Sequence, residues 1–387
     1  PYLTSIMGVN VVQGLQCLNS NEKYDKLHAC AKHFAVHSGP EWNRHEFNAE
    51  NISPRDLHET YLPAFEALVK DGQVKEVMCA YNRFEGDPCC GSDRLLMQIL
   101  RQEWGYEGIV VSDCGGIADF FRDKGHQTHA DAESASAAAV LSGTDLECGS
   151  SYKKLVNSVE KGLINEKDID VSVKRLLKAR FELGEMDDNQ KVSWSRIPYS
   201  VVCSAKHDSL SLDMARKSMT LLLNQNNILP LKRGGQMIAV MGPNANDSVM
   251  QWGNYNGTPK HTITILDGIR SALGKDDKLI YEQGCSWVER NLMKSVFSQC
   301  QSAEGAGFTA RYWNNKDYEG EPVATAQLTT PFRLCTSGAT VFAPGVNLTD
   351  FSAIYQSVFT PAESGNVVFE FYSCGGTQLL VNGEEVK

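Results

Sequence analysis

The first half of the chain alternates short apolar runs with longer segments in which apolar residues recur every three or four positions. The short runs predict buried strands, and the periodic segments predict amphipathic helices. Strands that alternate with helices indicate a parallel sheet, and therefore an α/β fold. The predicted strands are 30–36, 76–81, 108–112 and 143–148, and the predicted helices are 54–70, 92–104, 132–141 and 152–161.

Two predicted helices begin with residues that suit a helix N-terminus. Ser53 stands at the N-cap position, followed by Pro54 at the first helical position and by the acidic residue Asp56 in the first turn. These residue types suit unpaired N–H groups and a positive helix end. Another helix follows Asn165, and Asp168 stands where the acid of a capping box belongs. We therefore expect helices to start at both places.

The α/β pattern lapses into a predicted linker at 194–206 and then resumes. Helix 210–223 leads into a second α/β unit, which consists of strand 237–241, helix 265–273 and strand 278–281. Gly242 follows the first of these strands, but a lone glycine lacks the spaced glycines of a dinucleotide-binding loop. We predict no nucleotide site there.

Beyond Gly307 the pattern becomes that of a β protein. Segments 308–313, 339–342 and 366–372 are rich in β-forming residues and lie between Gly, Asn and Pro turns, which is typical of a sandwich-like module. Residues 377–386 predict a hairpin with an Asn-Gly turn. This hairpin is expected to break off at its second strand. Because the chain also begins at Pro1 without a leader, we expect it to be cut at both ends.

Length and charge limit the classes of function. A chain of 387 residues predicts two or three domains. With 37 basic and 47 acidic residues its net charge is -10, and no Lys/Arg-rich run is present. This argues against a nucleic-acid partner and favours a neutral substrate. No apolar run approaches the roughly 18 residues of a membrane helix, so no membrane span is predicted.

The cysteines do not form a recognisable metal or disulfide framework. The 12 cysteines are scattered, with Cys89 and Cys90 as the one adjacent pair. We expect mostly buried thiols with one or two disulfides. Cys30, His33 and His37 have spacings close to those of metal ligands, but on a strand residues three apart face opposite sides. We therefore predict no metal and no cofactor.

Polar residues stand where three predicted strands end. Lys32 and His33 close the first strand, Tyr81 follows the second, and Asp113 follows the third, before turn-forming residues. Each residue by itself is compatible with a buried polar group or an ion pair. The C-terminal ends of parallel strands meet at one edge, however, and α/β barrels assemble active sites there. The four residues together predict a catalytic site.

The motifs at these strand ends resemble those of glycoside hydrolase family 3. The resemblance rests on Ala31-Lys32-His33-Phe34, on 77–82 and on 109–113, with further similarity at Pro1-Tyr2-Leu3 and at 221–231. It covers most of residues 1–285. It implies a partial (β/α)8 TIM-like barrel, then the start of an α/β sandwich domain, then a partial β-sandwich module. The implied segments are 1–190 for the C-terminal part of the barrel, 191–220 for a linker and leading helix, 221–304 for the sandwich and 305–387 for a protective-antigen-type insertion.

The resemblance implies a retaining, exo-acting β-glycosidase. Asp113 would be the nucleophile that forms a covalent glycosyl-enzyme, and nearby cations such as Lys32 would favour its ionised form. Lys32 and His33 would also bind sugar hydroxyls, and Tyr81 would steady the nucleophile. Arg44 resembles a further sugar contact, although a surface arginine fits the sequence equally well. A small oligosaccharide or glycoside is the implied substrate, and a periplasmic or extracellular location is expected.

The general acid/base is expected outside this chain. In the family it comes from the second domain, after the inserted β module, and therefore beyond Lys387. Glu282 and Glu304 are candidates only if this placement is wrong. The family's upstream sugar-binding Asp and Arg would precede Pro1. An alternative of another class is therefore a catalytically inactive, carbohydrate-binding homologue, and the inserted module would either bind carbohydrate or shape the entrance to the site.

Small differences indicate the sugar. Cys114 directly follows the nucleophile, where xylosidase-like members often have cysteine and glucosidases often have tryptophan, and 253–257 also resembles xylosidases. We predict a β-xylosidase, with β-glucosidase as the alternative. An N-acetylglucosaminidase is a weaker alternative, because that branch continues with Pro-Gly-His-Gly where this chain has Ala35-Val36-His37-Ser38. The sequence does not indicate the oligomeric state.

Overall fold

The computed structural model divides the chain into two compact units, Pro1–Met219 and Thr220–Lys387. It describes residues 1–17, 21–232, 234–257, 259, 261–285, 295–332, 334, 336, 341–367 and 375–386. In the part of the chain so described, no helix combines the length and the apolar character that crossing a bilayer requires. The four segment boundaries predicted from sequence stay predictions.

The first unit is a mixed α/β structure that combines helices with a parallel sheet and short strand pairs. Its strands are β1 (Cys30–Phe34), β2 (Asn48–Ala49), β3 (Glu76–Cys79), β4 (Arg83–Phe84), β5 (Asp87–Pro88) and β6 (Ile109–Ser112). Its α-helices are α1 (Tyr2–Gln16), α2 (Pro54–Asp56), α3 (Pro63–Lys70), α4 (Ala132–Leu141), α5 (Leu155–Glu160), α6 (Glu166–Glu182) and α7 (Ala205–Ser218), and π-helical segments occupy Leu57–Tyr61 and Asp93–Glu103.

The strands β1, β3 and β6 form one parallel sheet in chain order. Its middle strand places Val77 beside Ala31 on one side and beside Val110 on the other. All four residues of β6 are buried, which explains the continuous apolar run in the sequence. Because the three strands are parallel, their C-terminal ends share one edge, as the sequence predicts.

Apolar side chains of the helical segments and of the sheet pack together in one core. Leu95, Leu96 and Leu100 lie in the π-helical segment and are completely buried. Burial of a leucine side chain contributes about 2 kcal/mol, so these three residues hold the segment in place. Phe34 of β1 meets the rings of Phe65 and Trp104 edge-on, with centroids 5.1 and 5.8 Å apart. The core therefore joins β1 to helix α3 and to the end of the π-helical segment.

The predicted helix starts are confirmed. The Ser53 hydroxyl accepts a hydrogen bond from the Asp56 N–H at 3.0 Å. The Asn165 N–H donates to Asp168 Oδ2 at 3.2 Å, as part of a capping box. The predicted helix over 54–70 is confirmed as a helical segment, but it is not a single regular α-helix: it consists of α2, the π-helical residues Leu57–Tyr61 and α3. Pro63 has no N–H and its ring would clash with an earlier carbonyl, and before it the Leu62 N–H donates to the Leu57 carbonyl in the wider π-helical pattern.

Two other predicted elements differ from the structure. Run 143–148, predicted as a strand, lies beside β6 but forms only one bridge with it, from Val111 to Leu146. The Asp145 carboxylate accepts the Val110 N–H at the position where the backbone of a strand partner would accept it. Helix α7 begins earlier than predicted, since the Ser204 hydroxyl caps its first turn.

The second unit contains a short α/β pair followed by antiparallel strands. The strands β7 (Met237–Met241) and β8 (Lys278–Glu282) pair in parallel, with α8 (Ile265–Ala272) between them in the chain. This confirms the predicted strand, helix and strand. Val240 of β7, Ala245 of the turn that follows it and Leu266 of α8 are buried together in a small separate core.

The remaining strands of the second unit form antiparallel sheets. They are β9 (Cys300–Ser302), β10 (Gly305–Ala306), β11 (Phe308–Trp313), β12 (Ala324–Leu328), β13 (Ser352–Gln356), β14 (Val358–Phe359), β15 (Leu380–Val381) and β16 (Glu384–Glu385). β11 confirms the predicted strand 308–313 and lies between β12 and β13. The predicted hairpin is also confirmed: Asn382 and Gly383 both have positive φ at its turn. The predicted strands 339–342 and 366–372 fall largely outside the described residues.

Candidate active site

Asp113 lies directly after β6, at the C-terminal edge of the parallel sheet. It is 7% exposed. Its Oδ1 accepts the Cys114 N–H at 2.8 Å, and its Oδ2 lies 3.4 Å from His33 Nε2. The Tyr81 hydroxyl donates to the Cys114 carbonyl at 2.7 Å. The structure therefore brings together three of the predicted strand-end residues around one oriented carboxylate.

Burial sets the protonation of the two groups nearest to this carboxylate. Burial lowers the pKa of His33; Asp113 opposes this shift, whereas Lys32, His37 and Arg44 add to it. His33 is therefore neutral at pH 7. Burial and the charge of Asp113 raise the pKa of Tyr81 to about 12, so its hydroxyl keeps its proton. Asp113 therefore has a neutral imidazole and a neutral phenol beside it.

Lys32 belongs to the same end of β1 but is exposed. The pairing of β1 with β3 is irregular between Lys32 and Phe34. The positive charge of Lys32 acts on His33, since it lowers the pKa of that imidazole. Lys32 thus contributes charge to the site from its solvent side.

Arg44 lies against the site and is not an isolated surface arginine. Its guanidinium carbon is 5.0 Å from the centroid of the Tyr81 ring, a cation–π distance. Its Nη1 donates to Glu41 Oε1 at 2.6 Å, and its Nε donates to His45 Nε2 at 3.2 Å. The structure therefore places the predicted sugar contact beside Tyr81.

Cys114 is joined to Cys148 by a disulfide. The bridge ties the loop that carries the candidate nucleophile to the end of run 143–148. Cys79 and Cys90 form a second disulfide, in agreement with the expected one or two. The expectation of mostly buried thiols is wrong: of the six free cysteines that the structure describes, only Cys89 is buried. Spacing along the chain does not reveal burial, and several of the others lie on loops or strand ends.

Two residues near the site were missed by sequence reasoning. His45 meets the Tyr81 ring edge-on with centroids 4.5 Å apart, and its Nδ1 lies 2.8 Å from Asp119 Oδ2. Asp119 is completely buried. An acid among the apolar residues of 117–121 is a signal that could have drawn attention to it.

The trio considered for metal binding is not gathered around a common point. The rings of His33 and His37 are 5.2 Å apart, and His37 Nδ1 lies 3.0 Å from Asn82 Oδ1. Within the described residues, one other trio has ligand atoms within 4.8 Å of one another: Asp25, His28 and Glu182. The Lys75 ammonium lies 3.0 Å from Asp25 Oδ2 and 3.1 Å from Glu182 Oε2, so a cation from the protein already occupies that cluster.

Comparison with known proteins identifies the family to which a chain with this site belongs. An oriented carboxylate at the C-terminal edge of a parallel sheet, surrounded by polar and cationic side chains, is typical of α/β glycoside hydrolases. The family model "Glycosyl hydrolase family 3 N terminal domain" matches residues 1–179, and "Glycosyl hydrolase family 3 C-terminal domain" matches 219–364. The chain belongs to glycosyl hydrolase family 3, which confirms the resemblance noted from its motifs.

Relatives carry xylosidase names. A xylan 1,4-beta-xylosidase of Xylanibacter ruminicola is 50% identical, and the match covers 100% of this chain and 44% of the relative. A probable exo-1,4-beta-xylosidase of Aspergillus terreus is 34% identical, over 84% of this chain and 42% of the relative. The chain therefore spans less than half the length of these relatives.

Solved structures of the family are also similar. A GH3 exo-beta-xylosidase in complex with a xylobiose aziridine probe has a TM-score of 0.67 and 30% identity, over 75% of this chain and 37% of that one. A beta-glucosidase from Listeria innocua in complex with laminaribiose has a TM-score of 0.66 and 27% identity, over 75% and 40%.

Proposed function

We propose that the protein containing this chain is a retaining, exo-acting β-glycosidase that removes terminal non-reducing β-D-xylosyl residues from xylo-oligosaccharides. The observation that carries this proposal is the state of Asp113. Its carboxylate is nearly buried, is oriented by the Cys114 N–H, and faces a neutral His33. These are the properties that a carboxylate nucleophile needs.

In the proposed reaction Asp113 attacks the anomeric carbon while the bond from that carbon to the leaving-group oxygen breaks, and the acid/base gives that oxygen a proton. Water, which returns a proton to the acid/base, then cleaves the covalent glycosyl-enzyme and releases Asp113. The Cys114 N–H directs the carboxylate, and the Tyr81 hydroxyl holds the loop through the Cys114 carbonyl. His33, Lys32 and Arg44 are proposed to bind the sugar hydroxyls. A retaining mechanism also needs an acid/base about 5 to 5.5 Å from the nucleophile. We propose that this group belongs to a part of the protein outside this chain. Glu282, which ends β8, and Glu304, between β9 and β10, are candidates only if that placement is wrong.

The finer description of the fold belongs to the same proposal. The parallel order β1–β3–β6 and the bridge to Leu146 fit successive strands of a TIM-like barrel. The parallel pair β7–β8 fits the start of an α/β sandwich, and the antiparallel sheet β12–β11–β13 fits a protective-antigen-type module. We propose the segments 1–190, 191–220, 221–304 and 305–387 on this basis.

The preference for xylose rests on the residue after the nucleophile and on the relatives. Cys114 and its bridge to Cys148 stand where glucosidases often have tryptophan, and curated relatives are named as xylosidases. β-Glucosidase remains the second candidate, supported by the similarity to the Listeria innocua enzyme.

Two measurements test the proposal. The protein is assayed on 4-nitrophenyl β-D-xylopyranoside and β-D-glucopyranoside, and we expect the larger kcat/KM on the xyloside. It is then treated with a 2-deoxy-2-fluoro-β-xylosyl fluoride: Asp113 should displace fluoride and form a stable ester, which mass spectrometry detects on the peptide containing Asp113. A preference for the glucoside would contradict the xylosidase assignment. Absence of turnover and of labelling would support the inactive, sugar-binding alternative.

We also propose a periplasmic or extracellular location. The two disulfides, Cys79–Cys90 and Cys114–Cys148, support it, because disulfides persist in oxidising compartments. Cell fractionation of the source organism followed by activity measurement tests this proposal, and activity confined to the cytoplasmic fraction would contradict it.

A further inference from the structure

His45 and Asp119 form a histidine–carboxyl pair near the candidate nucleophile. His45 of this pair contacts Arg44 and Tyr81. His45 Nδ1 is 2.8 Å from Asp119 Oδ2. His45 follows the short turn Glu41–Asn43, and Asp119 lies in the short turn Ala118–Phe120. The loop after β1 and the loop after β6 are thus connected through this pair.

The partners of His45 determine where its proton lies. Arg44 Nε is 3.2 Å from His45 Nε2, and an arginine nitrogen can only donate. Nε2 must therefore accept, which places the imidazole proton on Nδ1, from where it is donated to Asp119. The imidazole thus links the Arg44 guanidinium to a buried carboxyl group.

Burial raises the pKa of the Asp119 carboxyl, and the hydrogen bond from His45 and the charge of Arg122 only reduce that rise. Arg122 forms an ion pair with the other oxygen of Asp119. The edge of the His45 ring packs on the Tyr81 ring, 4.5 Å between centroids. Asp119 is therefore held between Arg122 and His45, and His45 extends from it to the Tyr81 ring.

We propose that the Asp119–His45 pair is a positioning device that holds the Arg44 guanidinium against Tyr81, where it binds the sugar next to Asp113. This inference rests on the proposed function. An arginine side chain loses rotamer freedom when it is fixed, so a flexible Arg44 would bind a hydroxyl weakly. His45 holds Nε and Glu41 holds Nη1. Among the described partners none engages Nη2, which is the nitrogen assigned to the sugar.

A double-mutant cycle separates positioning from a merely structural role. His45→Phe keeps a ring against Tyr81 but removes both hydrogen bonds. We expect it to raise KM for the aryl β-xyloside about tenfold while kcat changes less than threefold. In an Arg44→Ala background the same substitution should change KM less than twofold, because the group that it positions is gone.

The matched control is His129→Phe. His129 is also half-buried and packs against an aromatic ring, that of Phe120, with centroids 5.3 Å apart, but it contacts neither Arg44 nor Tyr81 in any described interaction. We expect its KM to stay within twofold of the parent. Thermal unfolding of each variant shows whether it is folded. If His45→Phe does not fold, Asp119→Asn replaces it in the cycle, with an expected increase in KM of about threefold.

The outcomes distinguish this inference from the proposed function. If the parent protein cleaves neither aryl glycoside, the proposed function is contradicted. If the parent cleaves the xyloside but His45→Phe leaves KM unchanged, or raises it equally with and without Arg44, the positioning role alone is contradicted.

Discussion

The two edges of the β1–β3–β6 sheet both carry charged residues but use them differently. At the N-terminal edge, Lys75 lies 3.0 Å from Asp25 and 3.1 Å from Glu182, and His28 lies 3.4 Å from Asp25. At the C-terminal edge, Asp113 has an N–H and a neutral imidazole as its neighbours. At the first edge an ammonium lies within ion-pair distance of two carboxylates, whereas at the second edge a carboxylate is oriented by a backbone N–H and a histidine.

This difference shows that the number of charged residues does not mark a catalytic site. Burial lowers the pKa of Lys75, but Asp25 and Glu182 outweigh burial and raise it, so all three groups remain in a compensated ionic cluster. Asp113 is instead oriented by the Cys114 N–H and lies 3.4 Å from His33, whose pKa is lowered by burial. Its reactivity follows from how it is held, and the comparison can be tested residue by residue.

The largest expected effect is at Asp113, the proposed nucleophile. Asp113→Asn should lower kcat on the aryl β-xyloside by at least about 10³-fold, because an amide cannot form the covalent intermediate. Its melting temperature should stay close to that of the parent. The matched variant at the opposite edge, Asp25→Asn, should keep kcat within twofold. Similar losses of activity in both variants would contradict the contrast between the two edges.

A large effect on stability is expected at Asp145, whose side chain lies outside the candidate site and holds the backbone of β6. Its completely buried carboxylate contacts Arg101 at 2.7 Å, Arg175 at 2.8 Å and the Val110 N–H at 2.9 Å. Asp145→Asn leaves the buried Arg101 without a counter-charge, so the free energy of unfolding should fall by about 3 kcal/mol.

Urea unfolding measures this change, with Asp170→Asn on the exposed side of α6 as the control. An Asp145→Asn variant as stable as the control would show that the buried ion pair contributes nothing. The kcat of its folded fraction should remain within about threefold of the parent.

A pH-dependent effect is expected at His126, on the site side of the first unit. Burial and then Arg83 lower its pKa to about 4. Between pH 6.5 and 4 the unfolded chain binds a proton that the folded protein does not, so stability falls as the pH decreases through this range, by up to about 3 kcal/mol.

His126→Phe removes this titration. Its free energy of unfolding, measured against pH, should fall less steeply between pH 6.5 and 4 than that of the parent. Equal slopes for the two proteins would contradict a neutral, buried His126.

The smallest effect is expected at Lys75. Lys75→Met leaves Asp25 and Glu182 without their ammonium, but all three side chains are partly exposed. The free energy of unfolding should fall by about 1 kcal/mol or less, and kcat should stay within twofold. Chemical unfolding and the xyloside assay check both values. A substantial loss of kcat would mean that the N-terminal edge takes part in the reaction.

Local patterns predicted most elements of the sheet and the helix starts. Strands around Val77, Val110 and Ala239 and the caps at Ser53 and Asn165 were correct, because side-chain alternation, β-branching and capping act between neighbours in the chain. Segment 54–70 is helical as predicted but contains a π-helical part, and run 143–148 forms one bridge in place of the predicted strand. A proline in the first case and the Asp145 carboxylate in the second changed the backbone hydrogen bonds.

The site was predicted in part. Asp113 and Tyr81 follow strands, and His33 lies near the end of β1. The three converge as expected, since parallel strands end at a common edge. The positions of Arg44, His45 and Asp119 come from two loops whose conformations depend on contacts between them. Loop sequences carry little periodicity, so no pattern in the chain indicated that these loops meet.

The sequence by itself determined the alternation of strands and helices, the strand-end position of Asp113 and the membership of glycosyl hydrolase family 3 that the comparisons confirm. Only the tertiary structure decided which ionisable side chains lie next to one another. It brought Lys75 to Asp25 and Glu182, His33 to Asp113, and Asp119 to His45. The physical reason is that electrostatic interactions depend on distance and burial in space, and residues far apart in the chain acquire both only when it folds.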